Sequence, residues 1–382
     1  MPIASVLHIL QTIKDRGPIS RTDLQHVTSL SWGTITNTTR ELLNRKFIQE
    51  QGALSTKAGR KPVQLALNLQ THCLLGLEIL PDHTYRAIAM DLAGNINWHQ
   101  AAPLFEASPE GIGSQLAETL RRGLAATGNR ASLGAGIVLP ADPCQASFPR
   151  ADTLRNTMSA HLQMPVVLEH PANALALAHR WFGQTAAADC DDFICVHLGD
   201  SIELGIIAGG DIFRCHTGAA GRLAHIALDP AGPRCVCGNR GCVHTYCSLP
   251  ALLAAAQDGA GVQAPQSLAE LVARAQAGQP HALAACARLG TQLGTAILWL
   301  ADLYDPAFLV LTGKTAAAAP HFMPALQTRL ALRPVPPQVL LSPFTADAPA
   351  MGVCALVLQN AFDAQMASQA TRDAEVLPVG PA

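Results

Sequence analysis

From residue 73 onward the chain alternates short apolar strands with helical stretches, and it does so twice. The first round reads CLLGLEIL, YRAIAMDL and NINWH as three strands. The helical stretch GIGSQLAETLRRGLAA follows, then the strand LGAGIVLP, another helix and the strand PVVLE. The second round starts at DFICVHL and runs through ELGIIAG and DIFRC. After helices around 249–304 come the strand AFLVLTG, a further helix and the strand QVLLS. A β-β-β-α-β-α-β order used twice predicts a duplicated α/β body of two lobes, with the lobe boundary near 185–190. The cleft between such lobes is a preferred place for a ligand.

Composition narrows the setting. Hydrophobic residues make up 49% of the 382 and charged residues 14%, but Ala, Gly and Leu carry much of the apolar share. No run of eighteen apolar residues occurs, which argues against a spanning helix and a membrane partner. In MPIASVLHILQTIKDRGP charges follow the apolar start closely and no small-residue cleavage site comes after, so no signal peptide is read. Eleven cysteines, an odd number, do not make a secreted disulfide framework. A reducing cytoplasm with clustered cysteines on metal is the expectation.

The net charge of −2 is unevenly spread. Residues 1–66 hold nine basic side chains against four acidic ones, a surplus of five, so the remainder carries −7. A small basic head on an acidic body points to an anionic partner for the head. Within it Val6, Leu7, Ile9, Leu10 and Ile13 keep helical spacing up to Gly17 and Pro18. Ser20 with Asp23 forms a capping-box-like start for a second helix. Ser31 caps a third that runs to about Arg45, turning Ile35, Leu42 and Leu43 inward and Thr34, Thr36, Asn37 and Arg40 outward. Two strands around a basic hairpin follow. Residues 1–68 are therefore expected to be a winged helix-turn-helix domain for double-stranded DNA. Ser31, Trp32, Thr34, Thr36, Asn37 and Arg40 would face bases, and Lys57, Arg60 and Lys61 phosphates or a minor groove. An ordinary three-helix interaction module is the competing reading.

The stretch CVCGNRGCVHTYC (235–247) is the densest chemistry in the chain. Cys235, Cys237 and Cys242 offer three soft ligands from one loop, with Gly238 and Gly241 for tight turns. A structural zinc wants a fourth ligand, and His244 and Cys247 both lie close by in sequence. The missing C-x-x-C argues against a redox centre, and no small recognition-helix unit marks a DNA-reading finger.

GAAGRLAHIALDPAGPRCVCGNRGCVHTY (218–246) resembles the signature of the ROK family, named for repressors, unassigned frames and sugar kinases. The winged helix, GRKP at 59–62, PVVLEHPANALALAHRWFG at 165–183 and DPAFLVLTG at 305–313 are similar to its repressor branch. The resemblance implies a two-lobed actin-like (ribonuclease-H-like) body over residues 69–382 that binds effector and assembles as dimers or tetramers. It also implies His225 as the fourth zinc ligand, closing a Cys3His site with no position open for catalytic water.

The family's kinases need a D-x-G-G-T phosphate loop, where this chain has LPDHTY, and a G-T-G-x-G loop, where it has GDSIELG with Asp200 and Glu203. They also need an aspartate base in a Glu-Asn-Asp triplet, where this chain has Glu169, His170 and Pro171. Proline accepts no proton. The resemblance therefore implies no catalytic residue and no enzyme, but a regulator, a repressor of carbohydrate uptake or catabolism genes. A sugar kinase is the alternative. Its sugar contacts depart too: Arg222 stands for an acid, His170 for an asparagine and His244 for an acid, with His225 retained. That cation-rich set points to an anionic sugar-derived effector gripped by Arg222; a decayed site, whose residues only pack or pair with neighbouring acids, is the competing reading.

Overall fold

The computed structural model describes residues 3–52, 62–106, 108–140, 150–183, 190–214, 221, 223–257, 263–344 and 346–375, with side chains from residue 4 to 362. The head holds helix α1 (Ile3–Arg16), strand β1 (Ile19–Ser20), helices α2 (Arg21–Thr28) and α3 (Trp32–Asn44), and strands β2 (Ile48–Gln51) and β3 (Gln64–Leu67). Ser20 caps α2 by accepting the Asp23 N–H, and its hydroxyl also meets the Asp23 carboxylate at 2.7 Å. Ser31 caps α3 by accepting the Thr34 N–H. Val6, Ile9, Leu10 and Ile13 of α1 close on Leu24 of α2 and Ile35 and Leu42 of α3, all buried. Leu43 is only half-buried, whereas Thr38 and Thr39 are fully buried. The sheet runs β1-β3-β2, and the two residues of β1 pair antiparallel with β3.

The body contains two five-stranded sheets of one design. The first follows β4 (His72–Ile79), β5 (Thr84–Met90), β6 (Ile96–Pro103), helix α4 (Pro109–Ala126), β7 (Ala131–Val138), helix α5 (Ala151–Leu162) and β8 (Val166–Glu169). Next come helix α6 (Pro171–Phe182), β9 (Phe193–Leu198), β10 (Ile202–Ala208) and β11 (Asp211–Ile212). Helices α7 (His244–Cys247), α8 (Leu249–Ala255), α9 (Leu268–Gln276) and α10 (Pro280–Tyr304) lead to β12 (Leu309–Thr312). Helix α11 (Ala319–Leu330), β13 (Val339–Leu341) and helix α12 (Ala348–Glu375) complete the chain's described elements. The orders are β6-β5-β4-β7-β8 and β11-β10-β9-β12-β13. In each, the first three strands pair antiparallel and the last two join in parallel.

The chain divides into two compact units, Met1–Glu169 with Pro349–Ala382, and His170–Ala348. The division falls before α6, not near 185–190, because α6 packs on β9 and β10 of the second sheet. Gly205 of β10 admits this contact, since any Cβ there would collide with the Ala172 carbonyl. Helix α12 returns to the first unit in the same manner: Gly76 of β4 faces the Ala350 carbonyl, and Gly136 of β7 faces Val353. Each repeat thus passes its last helix to the other unit. In the second unit α10 packs along α11 over a core of Leu289, Leu293, Ile297, Phe322 and Leu326. Pro280–Tyr304 is the one helix among the described residues long and apolar enough to cross a membrane, and half of that window is buried inside the protein.

Candidate functional site

The second unit carries a narrow loop between a short 3-10 turn, Leu223–His225, and α7. Two isolated bridges, Ala227 with Cys242 and Arg234 with Arg240, zip it into a finger. Leu228 N–H donates to the Gly241 carbonyl at 2.7 Å, Val243 to Ile226 at 2.9 Å, and Cys235 to Asn239 at 2.8 Å. Gly241 sits at φ +59°, and a Cβ there would fall inside the Asp229 carbonyl, so no other residue keeps this turn.

The zipped loop brings His225, Cys235, Cys237 and Cys242 together, with one ligand atom from each within 4.8 Å of all the others. Two edges can be set against a metal. Zinc bonded to sulfur at about 2.3 Å and nitrogen at about 2.05 Å makes tetrahedral edges of roughly 3.8 Å (S–S) and 3.6 Å (S–N). The Cys237 and Cys242 sulfurs lie 3.7 Å apart, and Cys235 Sγ lies 3.6 Å from His225 Nδ1. These two edges match a tetrahedral zinc site, and the other donor pairs lie within 4.8 Å. Cys247 is outside this group: it is buried in the core, and burial pushes its thiol up to about 12. His244 is outside it too, its ring 6.1 Å from that of His225.

Thiol environments differ across the loop. The Asn239 N–H lowers the exposed Cys237 thiol below its ordinary value, whereas burial raises Cys242. A brace not legible from the sequence holds the base of the loop: Arg288 of α10 lies 5.4 Å over the ring of Tyr246. More than forty residues separate the pair, so no local spacing signals it.

His244 opens α7 with its Nδ1 buried and without a hydrogen-bond partner. Burial and then the neighbouring His225 lower its pKa, favouring the neutral ring. His170 is exposed at the N-cap of α6. Arg222 lies outside the described residues.

Both turns where a phosphate loop is expected are closed by acids. After β4, Asp82 caps its own turn, accepting the Thr84 N–H at 3.1 Å and hydroxyl at 2.6 Å, with His83 at φ +57°. After β9, Asp200 pairs with Lys314 at 2.6 Å. Glu203 accepts the Ala172 N–H at the start of α6, where Pro171 stands, and burial pushes its carboxyl up to about 7. That helix end, a natural anion site, is already occupied by the protein's own carboxyl.

In the head, Trp32, Asn37 and Arg40 of α3 are exposed, as is the cap Ser31. Arg40 reaches back to Asn37 at 3.5 Å. Thr34 is half-buried with its hydroxyl 2.9 Å from Ser31. Thr36 is turned further in than its spacing predicts: its hydroxyl is buried and unpartnered, because it lies beside the buried Ile35 on the rim of the core face. Lys57, Arg60 and Lys61 lie outside the described residues.

The model of the ROK family matches residues 108–360. The chain belongs to the ROK family. It is 26% identical to the xylose repressor of Bacillus subtilis over 370 residues, covering 93% of this chain and 95% of the relative. A crystallised ROK family transcriptional regulator, a homologue of the E. coli MLC protein, superposes with a TM-score of 0.78 at 24% identity, covering 94% of this chain and 96% of its own. A ROK hexokinase from Thermus thermophilus reaches 0.66 at 25% identity, covering 76% and 99%. The duplicated sheets are thus the actin-like α/β body of the ROK family.

Proposed function

We propose that this ROK protein is a DNA-binding transcriptional regulator, a repressor of carbohydrate uptake or catabolism genes acting in the cytoplasm as a dimer or tetramer. In this reading residues 1–68 are a winged helix-turn-helix and residues 69–382 bind effector and oligomerise. The observation that carries it is the head. Helix α3, capped by Ser31, buries Ile35 and Leu42 while presenting Trp32, Asn37 and Arg40 to solvent, the face a reading helix turns to base edges. Lys57, Arg60 and Lys61 of the hairpin would contact phosphates. The likeness of length supports this: the regulator covers 94% of this chain where the hexokinase covers 76%, a difference of about the head's size. A gel shift with the DNA upstream of its own gene tests it, and absence of a shifted complex overturns it.

The ion at His225, Cys235, Cys237 and Cys242 is a structural zinc in this reading. All four positions are filled by protein, so zinc supplies rigidity to the loop rather than an activated water. It would fix His225 and set His244 beside it, with the unpartnered Nδ1 of His244 left for a ligand. With His170 and Arg222 these form the proposed effector site, suited to an anionic sugar derivative. Calorimetry with neutral and phosphorylated amino sugars checks this, and tighter binding of the neutral sugar overturns it. The hexokinase likeness keeps a sugar kinase as the second reading. The closed turns at Asp82 and Asp200, and Pro171 in place of a base, stand against it, and a coupled ATP-consumption assay separates the two.

A further inference from the structure

Arg45, the residue that caps α3, joins four separate segments of the first unit. Its carbonyl, an orphan of the helix end, accepts the His72 Nε2–H at 2.8 Å. Its guanidinium lies 4.8 Å over Phe47 and 4.6 Å over Phe362 of α12. The same group donates to the Ala361 carbonyl at 3.4 Å and to Glu41 of α3 at 3.3 Å. Phe47 stacks on His72 at 4.6 Å and tilts against Phe362 at 4.8 Å. The Arg45 side chain is only 19% exposed. A basic residue at the end of a reading helix would ordinarily reach for phosphate, and this one is turned inward.

We propose that Arg45 and Phe362 are positioning residues that clamp the reading helix α3 to helix α12. This rests on the DNA-reading role of α3 proposed above. Helix α12 begins at Ala348, where the chain leaves the second unit, and is seated on the first sheet through Gly76 and Gly136. From Pro349 to Phe362 it spans about 20 Å at 1.5 Å per residue. A helix of that length is stiff, so a displacement at its start arrives at Phe362 and, through the ring–guanidinium stack, at the end of α3. Cation–π and aromatic contacts of this kind, half withdrawn from water, are directional as well as attractive.

The test uses the full zinc-loaded chain and three variants. Phe362→Leu keeps apolar bulk without the ring, Phe362→Tyr keeps the ring, and Arg45→Met keeps the stem without the guanidinium. Amide hydrogen exchange across 32–48 is measured alongside affinity for the upstream DNA at several salt concentrations. Phe362→Leu and Arg45→Met are expected to speed exchange in the last turns of α3 and weaken DNA binding roughly tenfold. The salt slope should stay unchanged, and Phe362→Tyr should restore both properties. A slope reduced by about one phosphate in Arg45→Met would make Arg45 a DNA contact and overturn the proposal. So would unaltered exchange in α3, or exchange rising equally in α1 and α2, which would mean general loosening of the head. Should the wild-type chain bind no DNA, the regulator reading fails, while the exchange measurement still decides the clamp.

Discussion

The two units repeat one sheet topology but differ in what hangs from it. In the first, a single helix, α4, links the antiparallel strands to the parallel ones. In the second, that connection expands into the metal loop and four helices, α7 to α10. The first unit in turn carries the head. The turns that would face a phosphate, by contrast, are altered in both: Asp82 fills one and Asp200 with Lys314 closes the other. The two units thus share a sheet and differ in their additions, a cysteine-bearing loop with four helices in one and the head in the other. The sheets are the constant part, and the function lies in the additions.

Metal removal should break the comparison most sharply. A chelator, or Cys242→Ser, is expected to take bound zinc from about one ion per chain to almost none. The melting of the second unit should fall while the first holds, as read by exchange on both sheets. An equal loss in both units would mean the loop stabilises the entire chain.

Acid should also act on the second unit. His179 of α6 is fully buried with both ring nitrogens unpartnered, and burial lowers its pKa from 6.5 to about 4. A base with a depressed folded pKa contributes stability present above pH 6.5 and lost as pH falls toward 4. The loss is up to about 3 kcal/mol, at roughly 1.4 per unit. His179→Leu should reduce the slope of denaturant midpoints across that window, His197, also lowered by burial to about 4, keeping part of it, and an unchanged slope would count against it.

The helix seats sharpen the likeness rather than the difference. Gly76→Ala and Gly205→Ala each drive a methyl into a backbone carbonyl. Each should cost about 1–3 kcal/mol in urea unfolding, and by similar amounts if the two seats are equivalent. Arg40→Ala, on the exposed face of α3, should weaken operator binding roughly tenfold and leave stability alone. Smallest of all, Pro171→Asp should add no ATP consumption above background, because the Asp82 and Asp200 turns stay closed.

Much of this was legible in the sequence. The central strands of both sheets, β4, β7, β9 and β12, are apolar runs, and Ser20 and Ser31 announce the helices they cap. The three clustered cysteines are equally plain. Spacing alone left the fourth donor open between His244 and Cys247; the family resemblance pointed to His225, and the bridges at Ala227 and Arg234 bring it to the sulfurs. β1 is too short, at two residues, to show any period. The described first half of α12 is buried on nearly every side, so it lacks the amphipathic stripe that marks a surface helix. The unit boundary before α6 depends on which sheet that helix chooses, a tertiary matter that no local pattern records.

The exchanged helices impose an order in time. The groove at Gly76 has to wait for Ala350, more than 270 residues later in synthesis. Until then the first sheet, its strands already made, presents an uncovered apolar face to the cell. Contacts this distant along the chain slow the search for the native state and leave intermediates prone to association. A chain stopped short of α12 would therefore lose far more than a tail: its first-made sheet would never be closed.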